Sequence, residues 1–251
     1  GHRGIGLNAG NTMDKLNLTH HISQKFNEEL EDVRNRVLAM GGLVEQQIVD
    51  ALRALTEGDS ELGRAIEQHD YKVNQMEVAI DEECSRILAR RQPAASDLRL
   101  ILAIIKTITD LERIGDEAEK IGRFAARLAE QERPNTNYRE IEHLGNHVRT
   151  MLHDALDAFA RLDAEAAVRV AKEDERVDGE YDALSRQSIT FMMEDPRTIR
   201  RVLDVMWSAR ALERIGDHAK NICEYVIYLV RGKDVRHSGF EAMEREVLER
   251  P

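Results

Sequence analysis

One hexapeptide occurs twice in this chain: Leu111-Glu112-Arg113-Ile114-Gly115-Asp116 returns as Leu212-Glu213-Arg214-Ile215-Gly216-Asp217. Ala and then Ile follow each copy at the same spacing, as Ala118 and Ile121 and as Ala219 and Ile222. The register extends upstream, where Val44, Ile48, Asp50, Asp59, Asp70 and Val73 fall opposite Val148, Leu152, Asp154, Asp163, Asp174 and Val177. Identity at a fixed offset marks internal repetition, so the chain is two copies of one unit of roughly 100 residues, each presenting the same carboxylates.

Hydrophobic periodicity and its punctuation predict six long helices and no sheet, because no segment alternates with period two over a strand's length. The first is expected from about Ser23 to Glu57, stopped by Gly58, and the second from Asp59 as N-cap to about Arg90. A third runs from Asp97 to about Glu130 after the break Gln92-Pro93-Ala94-Ala95-Ser96, and Pro134-Asn135-Thr136-Asn137 links the units. The second unit repeats the plan with helices from about Tyr138 to Ala160, from Asp163 to about Met193, and from Asp195-Pro196 to Gly232. Long helices joined by short loops predict an all-α fold of two tandem, pseudo-symmetric three-helix bundles. The expected divisions are 1–22 as a tag or disordered arm, 23–134 and 135–232 as the two repeats, and 233–251 as a tail. In that tail Phe240, Met243 and Val247 mark a short packing helix.

On the third helix the apolar line Ile101, Ile105 and Ile108 continues along the same flank as Glu112, Asp116 and Glu119. The sixth repeats the change, with Val202, Met206 and Ala209 leading into Glu213 and Asp217, although Lys220 stands where Glu119 does. Asp70, Asn74, Glu77 and Asp81 line one edge of the second helix, and Asp174 and Asp178 hold the first two of these positions in the other unit. Each bundle can therefore set Glu-x-x-x-Asp against a second acidic edge. Converging carboxylates repel one another unless a positive charge sits between them, and oxygen donors favour magnesium, manganese, calcium or iron over a zinc site of the Cys/His kind. His218 points off the flank. A solvated, salt-bridged helix edge is the competing reading of the same pattern, as simple core packing is for Gly115 and Gly216.

The net charge of −11 argues against nucleic acid as a direct partner. With 33% charged residues and no apolar run near the roughly 20 residues that span a bilayer, the expected location is the cytoplasm. No signal peptide is recognised. Cys84 and Cys223 occupy core-facing positions and read as buried free thiols. No phosphate loop and no G-x-S-x-G elbow supports catalysis, nor is a cluster of Arg with helix N-termini legible as a phosphate cradle; the chain does not read as an enzyme.

The doubled L-E-R-I-G-D-x-A-x-x-I signature, the Arg90-Arg91-Gln92-Pro93 loop and the two-unit plan resemble the PhoU family, over about Thr19 to Gly232. The resemblance implies two three-helix bundles with multinuclear metal sites, often iron, on the motif acids. Carried over, the ligands are Glu112, Asp116, Glu213 and Asp217, with Asp70, Asn74, Asp174 and Asp178 as neighbours. Asn221 falls four residues after the second motif Asp, and Lys120 replaces it in the first copy, so the second site is expected to be the better kept. The resemblance further implies a homodimeric negative regulator that links a phosphate ABC transporter, through its ATPase subunit, to a sensor histidine kinase. It would meet the inner membrane only through those partners. Two alternatives remain open: a metal-free helical scaffold, and a carboxylate-bridged iron oxidase or storage protein, for which the chain offers one Glu-x-x-His, Glu140 to His143. Leu203, Trp207, Tyr225 and Tyr228 share the side of the sixth helix opposite its core stripe and form a candidate partner surface, unless the tail helix covers them.

Overall fold

The computed structural model describes residues 9–131 and 138–249, with side chains from residue 23 onward. Among them are α1 (Ala9–Glu57), α2 (Ser60–His69), α3 (Tyr71–Arg91), α4 (Ala95–Ala129), α5 (Tyr138–Arg161), α6 (Ala164–Glu194), a 3-10 turn (Pro196–Thr198), α7 (Ile199–Arg231) and α8 (Phe240–Leu248). No strand occurs among the described residues.

The punctuation works as polar capping. Gly58 takes a left-handed φ of 69°, and the Asp59 carboxylate then accepts from the Leu62 N–H at 3.0 Å to open α2. Asp163 does the same for α6, accepting from Ala166 N–H at 2.9 Å. Gly232, at φ 73°, closes α7. The last helix, expected from Asp195-Pro196, opens as the 3-10 turn Pro196–Thr198 and becomes α-helical at Ile199, and two other boundaries differ further from expectation. The first helix starts at Ala9 rather than Ser23, because nothing between Met13 and Ser23 breaks a helix once the chain has entered one. The second helix, expected to be continuous, is interrupted at Asp70. The linker Pro134 to Asn137 lies outside the described residues.

α1, α4, α7 and α5 form a closed ring of four, with α2 and α3 packed on the α1/α4 side and α6 on the α5/α7 side. One continuous apolar core runs through both repeats, so the two bundles lie side by side. The ring is pseudo-two-fold. Leu156 of α5 sits over Gly41 of α1, and its counterpart Leu52 sits over Gly145, the counterpart of Gly41. α4 and α7 run antiparallel, joined by Arg127 to Asp204 at 2.8 Å and Arg214 to Glu117 at 3.7 Å. α2 crosses α4 through two glycines, close enough that a Cβ on Gly63 would lie 2.5 Å from the Gly122 carbonyl oxygen.

Cys84 and Cys223 are buried and free. Burial pushes the Cys84 thiol up to about 12, which leaves it inert as a nucleophile. α8 buries Met243 and Val247, mainly against α6. The four-residue face of α7 divides. Tyr225 and Tyr228 turn towards α4, where Lys106 Nζ lies 5.2 Å from the Tyr228 ring centroid, while Trp207 stays 55% exposed.

The glycine crossing yields a paired expectation. Gly122→Ala places a Cβ 2.7 Å from the Gly63 carbonyl oxygen and should cost about 1–3 kcal/mol by urea denaturation. Gly42→Ala, with open space around the added Cβ, should instead stabilise by about 0.5–1 kcal/mol.

Candidate metal centre

Two acidic clusters stand where the apolar lines of α4 and α7 turn polar. In the first, ligand oxygens of Asp70, Asp116 and Glu119 all lie within 4.8 Å of one another. In the second, those of Asp174, Asp178 and Asp217 do the same. The break at Asp70 sets its carboxylate, only 6% exposed, at the junction of α2 and α3 facing α4. The motif glycines make room for this approach. A Cβ on Gly115 would lie 3.2 Å from Asp70 Oδ1, and one on Gly216 would lie 3.6 Å from Asp174 Oδ1.

Electrostatics follow from burial first and crowding second. Burial, with Asp116 adjacent, pushes the Glu112 carboxyl up to about 7, and burial with Asp217 does the same to Glu213. Asp174 rises to about 6 through burial, then Asp178 and Asp217. Asp70, Glu77, Glu119 and Asp217 are also raised, each chiefly by burial. Glu112 and Glu213 thus belong to the clusters electrostatically, and Glu77 joins the first.

At the clusters, two of the buried side-chain oxygens without a hydrogen-bond partner are Asp174 Oδ1 in the second and Gln47 Oε1 beside the first. Gln47 of α1 gives Asp70 Oδ1 a long contact of 3.5 Å from its Nε2 and leaves its oxygen facing the Gly115 cradle. Unpaired buried acceptors among crowded carboxylates are the donor set a hard cation requires, so the residues fit an oxygen-ligated metal. When bound, such an ion supplies charge neutralisation; the chain supplies preformed oxygens on four helices.

The copies are not equivalent. Lys220 occupies the place of Glu119 and its Nζ lies 3.8 Å from Asp174 Oδ2, so the second cluster carries a cation where the first carries a carboxylate. Asn221 is not brought to the acids. Its amide donates to Asp110 Oδ1 at 3.0 Å across the α4/α7 seam. Lys120, its counterpart, pairs with Glu117 at 3.1 Å. Asn74 is exposed on α3 and is not among the three residues whose ligand oxygens converge in the first cluster. His218 does lie off the acidic flank, with Nδ1 2.7 Å from Asp110 Oδ1.

Sequence reasoning missed Asp110 and Gln47. Asp110 is 4% exposed and also accepts from the Tyr225 hydroxyl at 2.6 Å. The detectable signal was a mismatch between copies, since its counterpart is Ala211 and that of Gln47 is Met151. A further unanticipated feature is a cleft beside Asp116 and Glu119, lined by Arg113, Lys120, Arg123 and Arg214. Glu140 and His143 sit on the outer side of α5, both exposed, so they do not project inward as a di-iron site in a bundle demands.

A profile of the PhoU domain matches residues 37–125 and 141–226, one match per repeat. The chain belongs to the PhoU family. It is 60% identical over 235 residues to the phosphate-specific transport system accessory protein PhoU homolog of Pseudomonas putida, covering 94% of this chain and 92% of that protein. Against the Escherichia coli (strain K12) accessory protein PhoU the identity is 52% over 234 residues, covering 93% and 96%. The crystal structure of PhoU from Pseudomonas aeruginosa superposes with a TM-score of 0.81 at 58% identity, over 83% of this chain and all (100%) of that one. The phosphate transport system regulatory protein PhoU from Streptococcus pneumoniae gives 0.78 at 34% identity, over 84% and 99%. PhoU proteins are accessory and regulatory proteins, not enzymes, and this chain is one of them. Among the described residues no helix is long and apolar enough to cross a membrane.

The raised carboxyls set a pH dependence whose sign is opposite to that of an ordinary salt-bridged acid. Glu112 and Glu213 bind protons more tightly folded than unfolded, so their contribution is fully present below about 4.5 and is lost as pH rises towards about 7. Chelator-stripped protein should therefore melt at lower temperature at pH 7.5 than at pH 5.5. Asp116→Asn with Asp217→Asn should raise the pH 7.5 melting point of stripped protein and abolish the gain on adding Mn2+, as read by calorimetry.

Proposed function

We propose that this protein is a non-enzymatic, metal-binding regulator of phosphate uptake, working in the cytoplasm and reaching the inner membrane only through its partners. When phosphate is plentiful it couples the phosphate ABC transporter to a sensor histidine kinase and represses both uptake and the starvation response. The observation that carries this reading is near-full-length likeness to accessory proteins of the phosphate-specific transport system. The oxygen clusters support a hard cation, iron, magnesium or manganese, as the ligand that neutralises Asp70, Asp116 and Glu119 in one repeat and Asp174, Asp178 and Asp217 in the other. Exposed Leu203 and Trp207 on α7 support a protein contact there, and we assign it to a homodimer.

Deletion of the gene should leave phosphate-starvation promoters active in high phosphate, as a reporter would read. Wild-type protein restores repression, whereas Asp116→Ala with Asp217→Ala should restore it poorly while keeping the helical circular dichroism. Full repression by that variant would favour the metal-free scaffold, and continued repression in the deletion strain would remove the regulatory reading altogether. For the surface, Trp207→Ala should reduce the dimer fraction in sedimentation with stability changed by less than about 0.5 kcal/mol.

A further inference from the structure

The cleft beside the first acidic cluster, about 340 Å³ in volume, draws its walls from both repeats: Arg113, Lys120 and Arg123 stand on α4, and Arg214 reaches in from α7. Arg113 and Lys120 are two turns apart and Arg123 follows three residues on, so one stripe of α4 carries all three. Lys120 Nζ and Arg214 Nε meet at a single oxygen, Glu117 Oε1, at 3.1 and 3.7 Å. Arg113 and Arg123 differ from them. Both are exposed, and among the described residues neither makes a hydrogen bond or an ion pair. We propose that this cleft binds inorganic phosphate beside an ion held by the first cluster. The site rests on the metal reading above, because Asp116 and Glu119 line the cleft as well as belonging to the cluster.

With the cluster empty the cleft is nearly balanced, four cations standing against the carboxylates of Asp116, Glu117 and Glu119. An ion that neutralises Asp116 and Glu119 upsets this balance and leaves the four cations facing Glu117 alone. In a chain of net charge −11 such a local surplus does not follow from composition, and it is the pattern that attracts a multiply charged anion. Guanidinium groups present their donors in a planar fork matched to phosphate oxygens. A hard ion held by one or two carboxylates ordinarily completes its shell with water or a phosphate oxygen. Glu117 adds selectivity. Lys120 and Arg214 both use its Oε1, which leaves the other carboxylate oxygen to accept a hydrogen bond from a phosphate that retains one P–OH. Sulfate has no such hydrogen at neutral pH, and the same carboxylate repels it.

Divergence between the repeats supports a purpose beyond packing. The counterparts of Glu117, Lys120 and Arg123 are His218, Asn221 and Glu224. His218 and Asn221 bond to Asp110, and Glu224 is buried, so the stripe that is basic and open on α4 is engaged at the seam on α7. Arg214, the counterpart of Arg113, keeps its charge and lines the cleft of the first repeat. No single helix displays this arrangement, since the four cations share a cleft only when α7 lies on α4.

The test titrates the full chain, loaded with Mn2+ and freed of excess ion, with inorganic phosphate by isothermal calorimetry, while bound manganese is measured separately on the same samples. Loaded wild type should bind phosphate at least about 10-fold more tightly than chelator-stripped protein, the factor that loss of one charge-assisted contact produces. Arg123→Gln removes an exposed, unpaired side chain and should weaken phosphate about 10-fold, and Lys120→Gln with Arg214→Gln by more, all with manganese content unchanged. Sulfate and glycerol 3-phosphate, which at pH 8 are almost wholly without an acidic hydrogen, should compete at least about 10-fold less well than phosphate, and Glu117→Gln should narrow that gap. Arg200→Gln, an exposed cation at the start of α7, should change nothing. Wild type that takes up no manganese would remove the metal reading and this site together, a result the manganese measurement gives on its own. Manganese held normally with no phosphate bound, phosphate bound equally well by the arginine and lysine variants, or equal competition by sulfate or the ester would overturn the phosphate site and leave the metal reading standing.

Discussion

Close backbone approach at small residues is the constraint on which the rest of this molecule depends. Gly63 and Gly122 let α2 lie on α4 with carbonyl oxygens where Cβ atoms would otherwise stand, and Gly41 and Gly145 receive Leu156 and Leu52 across the pseudo-two-fold axis. Each glycine in a helix interior costs about 1 kcal/mol against alanine, so their use in pairs needs a packing return. That return is a ring of four helices thin enough for an outer helix on each side to reach the carboxylates of α4 and α7. Gly115 and Gly216 repeat the device at the clusters, where Asp70 and Asp174 occupy the space a side chain would fill.

Duplication explains the frame, and divergence between copies explains its chemistry. Where the two repeats keep the same residue, as at Glu112 and Glu213 or Asp116 and Asp217, both sites inherit a crowded acid. Where they differ, the structure has used the difference. Asp110 stands opposite His218, Asn221 and Tyr225, whereas its counterpart Ala211 could accept nothing. A buried carboxylate needs several donors to remain charged away from water, and α7 supplies three from successive turns. The seam between repeats is thereby made specific in register and direction, which apolar packing alone would leave weakly determined.

Much of this was legible beforehand, for identifiable reasons. The helices followed from apolar periodicity, and Asp59, Asp163 and Gly232 marked ends because capping is local chemistry. The repeated acids pointed to Asp116 and Asp217 because a flank that changes from apolar side chains to carboxylate twice demands one explanation. The interruption at Asp70 was hidden, since Asp70-Tyr71-Lys72 contains no breaker and its single-residue kink answers to tertiary packing. Asn221 was assigned to the acids by the family resemblance, from its place four residues after Asp217, but position along a helix cannot tell which of two neighbours a side chain will meet. Gln47 was invisible for the same reason, a lone polar residue in the apolar stripe of α1 whose purpose depends on what lies across from it.

The acids and the seam share one piece of backbone. Asp217 faces α6 while His218, the next residue, faces α4 and Asp110, so any rotation of α7 that relaxes the carboxylate crowding withdraws a donor from the buried aspartate. The same helix carries Lys220 towards Asp174 and Asn221 towards Asp110, again on consecutive residues. Repulsion within the second cluster therefore works against the seam's hydrogen bonds, and neutralising that cluster relieves both at once. On α4 the linkage is looser. Asp116 faces Asp70, and its neighbour Glu117 is held by Lys120 and Arg214, two long side chains that can follow a rotation. Charge added to the second cluster is thus transmitted to the junction of the repeats more rigidly than charge added to the first, a mechanical asymmetry set by which residues replaced which after the duplication.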